Sequence, residues 1–148
     1  MTQFHKQGFS SRFGAMGDEA ESVFEQENEG KYVRYGLNRP PVSMAKMPAK
    51  IRYTPDYLQA RQLVEVMGVG NDRILKLKFE KAHALQQWHQ DMPLVFFLWD
   101  SKMKRSVSMP WTELWDILPD MPSNNFPEGK KYWEINVDLH IWSRYGES

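Results

Sequence analysis

The sequence contains no cysteine, which rules out a disulfide framework, a thiolate zinc site and a thiol nucleophile. It has no net charge either, since 19 basic residues offset 19 acidic ones. A polyanion meets no global attraction, so any site for one must come from local charge segregation. Long apolar runs are also missing. The stretch MTQFHKQGFSSRFGAMG holds nothing resembling a signal h-region, and no segment approaches the roughly 20 residues of a membrane span. The expectation is an intracellular, cytoplasmic protein with no membrane partner, in the host cytoplasm if phage-encoded. No HExxH, P-loop or GxGxxG is present, and His5, His83, His89 and His140 lack zinc-ligand spacing. There is no internal repeat and no low-complexity tract.

What is present suits a globular interior. Apolar residues make up 41% and aromatics 14%, with six tryptophans, too rich for disorder, and 148 residues fit one domain with one core. The tryptophans read as core or interface. Charge is segregated along the chain: residues 31–53 hold Lys31, Arg34, Arg39, Lys46, Lys50 and Arg52 without an acid, whereas 18–29 hold six acids without a base. Alone, that pattern equally describes a solvated loop beside a solvated helix.

The spacing predicts a helix over 18–29, stopped by Gly30, and a short strand over 31–36. A loop broken by Pro40, Pro41 and Pro48 follows. A second strand is expected to end near Asp56, and QLVEVMGV reads as a valine-rich central strand. A helix is expected from Arg73 to about His89, then a buried strand in PLVFFLWD, a turn at SKMKR, a strand at SVSM and a short helix at WTELWDIL. The last segment, YWEINVDLHIW, alternates with Trp133, Ile135, Val137, Leu139 and Ile141 on one side and Glu134, Asn136, Asp138 and His140 on the other, which reads as a half-buried strand with a solvated outer face. The order describes one α/β (α+β) domain with a mixed sheet flanked by helices, its core about 14–118 and its C-terminal extension carrying the amphipathic strand at about 132–142.

Two carboxylates, Asp56 and Glu65, fall on neighbouring strands joined by a short return. Carboxylates brought together repel, and a divalent cation with hard oxygen ligands, Mg²⁺ or Mn²⁺, relieves that repulsion. The plain alternative is a Pro-Asp turn and a glutamate at the sheet rim. With Pro55-Asp56, Glu65-Val66-Met67, an acidic helix before them and an amphipathic helix after, residues of about 14–100 resemble the PD-(D/E)XK nuclease superfamily, in particular small resolvase-like members and the VRR-NUC group. The resemblance implies a restriction-endonuclease-like fold in which Asp56 and Glu65 bind the metal and the carbonyl of Val66 joins them. It also implies a carboxylate on the first helix, for which GDEAE offers Glu21 and Glu19, the spacing from Gly17 favouring Glu21.

The departure is Met67, where the family carries lysine. A thioether has no proton and no charge to offer a phosphate or an attacking water. Turned at about 100° per residue, the expected helix puts Lys78 and Lys81 inside the apolar sector of Ile74, Leu77, Ala84, Leu85 and Trp88. GNDRILKLK also resembles the VRR-NUC segment leading to its helical glutamine, with that position falling on Lys78. Lys78 is therefore the first candidate for the relocated lysine and Lys81 the second, against the alternative that both snorkel to the rim.

The function implied is a metal-dependent DNA endonuclease, structure-selective for Holliday junctions or other branched DNA, in recombination, repair or phage DNA processing. Its alternatives are a catalytically inactive DNA-binding or structural descendant of the same fold, and an assembly protein with accidental motif matches. Arg34, Arg39, Lys46, Lys50, Arg52, Arg73, Lys102, Lys104 and Arg105 are the expected contacts to backbone phosphates. Symmetric cutting of two strands implies a homodimer, with the last strand as a candidate contact.

Overall fold

The computed structural model describes residues 8–36 and 47–145, with side chains of the first helix from Met16 onward. The architecture is mixed α/β. Helix α1 spans Gly8–Glu27 and β1 Val33–Arg34; a single turn, α2, covers Ala49–Arg52, followed by β2 (Tyr57–Leu58), β3 (Leu63–Val69) and β4 (Ile74–Lys78). Helix α3 (Phe79–Asp91) leads to β5 (Leu94–Asp100), β6 (Arg105–Pro110), α4 (Trp111–Ile117), β7 (Ser123–Asn125) and β8 (Lys131–Asn136), and the last short helix, α5, is Ser143–Tyr145. The first two strands and β3, β5 and β6 form one sheet in the order β1-β2-β3-β5-β6, while β4, β8 and β7 form a second with β8 in the middle.

Strand parity divides the core. In β3, Val64 and Val66 pack with Ala20 and Phe24 of α1 and with Phe97 and Trp99. Leu63, Met67 and Val69 point the other way, into the larger cluster that includes Ala82 and Leu85 of α3, Leu94, Phe96 and Leu98 of β5, and Trp111 and Leu114 of α4. Glu65 shares their parity and therefore faces α3. On the α1 side, a Cβ on Gly68 would meet Met16 Sδ at 2.9 Å and the Met16 carbonyl at 3.2 Å, so α1 lies close against β3 only because position 68 has no side chain.

Several expected elements are displaced. The first helix extends back to Gly8 and ends at Glu27, and Gly30, expected to stop it directly, lies in the turn that follows with φ +79°. Asp56 precedes β2 rather than ending a strand, because the backbone before it folds into α2. The helix expected from Arg73 is a strand as far as Lys78: ILKLK alternates, Leu75 and Leu77 enter the core, and the segment pairs antiparallel with β8. Its partner lies over fifty residues away in the chain, which local periodicity cannot register. The final strand stops at Asn136, whose side-chain oxygen accepts the N–H groups of Asp138 (3.0 Å) and Leu139 (3.1 Å) and turns the chain into a helical segment over Asp138–Trp142. Leu139 is consequently 67% exposed instead of buried. Pro40, Pro41, Arg39 and Lys46 lie outside the described residues.

Candidate active site

Asp56 and Glu65 meet at the entrance to the β2–β3 return. The register Tyr57↔Val64 leaves Asp56 just outside the ladder, where its Oδ2 accepts the Val66 N–H at 2.8 Å. In an extended strand the N–H and C=O of one residue point to the same edge, so the Val66 carbonyl faces Asp56. Continuing the register puts Pro55 opposite Val66, and proline has no N–H to give that carbonyl. The Pro-Asp dipeptide thus supplies a carboxylate to the Val66 N–H and no proline N–H to its carbonyl.

Lysine 81 enters from α3. It stands one turn before Leu85, on the buried side of the helix, and its Nζ lies 2.7 Å from Glu65 Oε2. Burial works against the Lys81 charge, but Glu65 and Asp56 outweigh it and raise its pKa. Glu65 is 3% exposed; burial pushes its carboxyl up, opposed by Lys81. Asp56 is held well above its ordinary range by burial and by the neighbouring Glu65, with Lys81 again opposing. A buried glutamate and a partly buried aspartate, with one ammonium paired to the glutamate, are short of positive charge.

Glu21, on α1, borders the pair closely enough to raise both carboxyls further. Its Oε1 accepts from Arg34 at 2.7 Å, and the same guanidinium lies 3.9 Å from Asp56 Oδ1 and 3.8 Å from Glu25 Oε2. Glu19, the other candidate on that helix, points elsewhere: it accepts from Trp99 Nε1 at 2.6 Å, a bond that lowers its pKa, and neighbours Lys104 at 4.0 Å. Lys78 is also elsewhere. It closes β4, with its Nζ 5.5 Å from the centre of the Phe126 ring on the outer side of the smaller sheet. Asp56, Glu65, Val66, Lys81 and Glu21 are therefore together, whereas Lys78 and Glu19 stand apart. Among the described residues, no three His, Cys, Asp or Glu side chains form a metal-ligand group. The oxygen set on hand is two carboxylates and the Val66 carbonyl, hard donors of the kind Mg²⁺ or Mn²⁺ takes, with Glu21 turned to Arg34.

The basic residues expected to contact phosphate are mostly engaged with the protein's own acids. Lys50 bonds Asp91 at 2.6 Å, and Arg52 bonds Glu80 at 3.0 Å. Arg73 is fixed twice, by Asp100 and Asp138, and Arg105 donates to Asp100 at 3.3 Å. Lys102 and Lys104 are exposed on the β5–β6 turn. Two residues were not foreseen at the site: Arg34 as a partner of its carboxylates, and Tyr57, whose hydroxyl donates to Glu25 at 2.6 Å and receives from Arg34 at 3.3 Å. The signal for both is the antiparallel pairing Arg34↔Tyr57, which sequence alone does not reveal. No family model matches the chain, and no curated protein matches it. No helix among the described residues is long and apolar enough to cross a membrane.

Proposed function

We propose that this protein is a metal-dependent DNA endonuclease, structure-selective for branched DNA such as a four-way junction. The observation that carries the reading is Lys81: its ammonium sits 2.7 Å from Glu65, beside Asp56, where a residue at the Met67 position would be needed if the lysine came from the strand. Met67 shares the parity of Glu65 and packs into the core, so a thioether is tolerated there while the cation arrives from the next helix. Asp56, Glu65 and the Val66 carbonyl would hold Mg²⁺ or Mn²⁺. When bound, the ion polarises a phosphoryl oxygen and favours hydroxide at an adjacent water. Lys81 holds a proton at Nζ at neutral pH and can donate a charge-assisted hydrogen bond to a phosphate oxygen entering the cluster. Lys102 and Lys104 supply exposed charge for the DNA backbone. A two-site enzyme implies a homodimer; β8 lies between β4 and β7, so a second copy would meet the outer face of that sheet and not the edge of β8.

A second reading, a DNA-binding or structural descendant without catalysis, is favoured by one observation: Lys81 and Arg34 already occupy the carboxylates. Incubation with four-way junction, flap and linear duplex DNA in Mg²⁺ or Mn²⁺ separates the two. On the first reading the wild type cuts the junction, Asp56→Asn and Glu65→Gln abolish cutting, Lys81→Ala lowers it on the order of 10²-fold or more, and Lys78→Ala leaves it unchanged. Binding without cutting in either metal establishes the second reading instead.

A further inference from the structure

We infer that Arg34 is a built-in competitor of the metal: its guanidinium occupies the carboxylate of Glu21 beside Asp56 and Glu65, and a divalent cation completes its ligand set by displacing it. The inference rests on the reading of this cluster as a metal site, but not on catalysis.

Around the site, four carboxylates (Glu21, Glu25, Asp56 and Glu65) face two cations, Arg34 and Lys81. Carboxylates outnumber cations two to one there, an imbalance of the kind a divalent ion relieves. The two cations are held very differently. Lys81 stands on the buried face of a thirteen-residue helix and is the direct partner of a buried glutamate. Arg34 stands on a two-residue edge strand, its side chain is 32% exposed, and it shares itself among Glu21, Glu25, Asp56 and the face of Tyr57, whose ring centre is 4.6 Å from Cζ. At Asp56 its distance is 3.9 Å, longer than a hydrogen bond, whereas at Glu21 it is 2.7 Å. Arg34 therefore neutralises Asp56 poorly while keeping the third carboxylate occupied. An ion at Asp56 and Glu65 would lie close to that guanidinium, and like charges in a partly buried site repel strongly. Release of Arg34 frees Glu21 to turn to the ion and leaves an arginine fork at the edge of the cluster, where phosphate arrives.

The test is Mn²⁺ binding to the full chain in the absence of DNA, measured by calorimetry after removal of metal with chelator. Arg34→Met keeps an aliphatic stem over Tyr57 and removes the charge; Arg34→Gln removes the charge with a polar end; Arg34→Lys keeps the charge. The neutral variants should bind Mn²⁺ more tightly than the wild type, on the order of ten-fold, Arg34→Lys should stay near the wild type, and Asp56→Asn should lose binding. Equal or weaker affinity in both neutral variants overturns the inference, as does an absence of Mn²⁺ binding in every variant. Junction cleavage is scored separately. Cleavage by the wild type with unchanged Mn²⁺ affinity in Arg34→Met sinks the inference and spares the nuclease reading; tighter Mn²⁺ in Arg34→Met with no cleavage of any DNA does the reverse.

Discussion

Two clusters of charge lie on the same face of the larger sheet, four residues apart along β3 and β5, and they are built to opposite ends. At one, Asp100 is fully buried yet saturated: both oxygens receive Arg73 (2.6 and 2.7 Å), and it also accepts from Arg105 and from the N–H groups of Lys102 and Met103. Burial would raise the Asp100 carboxyl, but these donors hold it down at about 2. At the other, Asp56 and Glu65 have fewer donors than they could accept from, and both carboxyls are pushed up. Both clusters mix aspartate or glutamate with a cation; what differs is whether every lone pair has a donor. The saturated cluster ties the end of β5 to the turn before β4 and, through Asp138, to the end of β8. The unsaturated one joins β3 to α3 through Lys81 and to Asp56 through the Val66 N–H, yet leaves carboxylate lone pairs without donors, an arrangement that lowers stability and, on the reading proposed above, leaves room for a ligand.

The contrast can be broken from either side. The largest effect is expected for Arg73→Met. It strips the buried Asp100 of its bidentate partner and should cost about 3–5 kcal/mol, read as a fall in thermal midpoint. Arg73 occupies the left-handed region, φ +61°, but methionine bears the same backbone cost there, so none of this loss is offset. Lys81→Met should cost less, about 1–2 kcal/mol at neutral pH, because Glu65 can take up a proton in place of its lost partner; its deficit should shrink on acidification, as followed by denaturant unfolding at several pH values. Asp56→Asn should go the other way, gaining up to about 1 kcal/mol while losing metal binding, because it keeps an oxygen for the Val66 N–H and removes the repulsion with Glu65.

The pH dependence sharpens the same contrast. Folded Asp56 and Glu65 retain protons that the unfolded chain releases, so they make stability fall as pH rises above the ordinary carboxylate range. Asp100 does the opposite: its contribution is complete above the usual aspartate value of 3.8 and is lost as pH falls through about 2. A scan of thermal midpoint against pH should therefore peak near the ordinary carboxylate range, and Asp56→Asn should reduce the slope of the limb above it while leaving the acid limb unchanged. An unchanged upper limb in that variant would show that the carboxylates are not in conflict.

Much of the fold could be read from local pattern. The strands at Leu63–Val69 and Leu94–Asp100, the helix at Trp111–Ile117 and the mixed α/β class follow from apolar runs and their punctuation. The segment after Gly70 could not, because ILKLK satisfies a helical and an alternating pattern at once, and the distant β8 decides between them. This also explains the lysines. A helix starting at Arg73 makes Lys78 and Lys81 near neighbours, whereas a strand ending at Lys78 turns that side chain outward and leaves Lys81 alone on the inner face. The carboxylates were legible because they sit in a continuous motif; Arg34 was not, since its place among them depends on the pairing of β1 with β2.

The direct passage of β4 into α3 also bears on how this chain can change in length. Lys78 ends the strand and Phe79 begins the helix, with no residue between them to absorb a change. One residue added ahead of Lys81 within the helix would swing its ammonium by about 100°, and one added within β4 would exchange Leu75 and Leu77 for their outward neighbours. The number of residues over 74–81 is thus fixed, whereas the exposed turn at Pro127–Gly129 can lengthen at little cost. Gaps and insertions, more than substitutions, are what a lineage carrying this arrangement must avoid there.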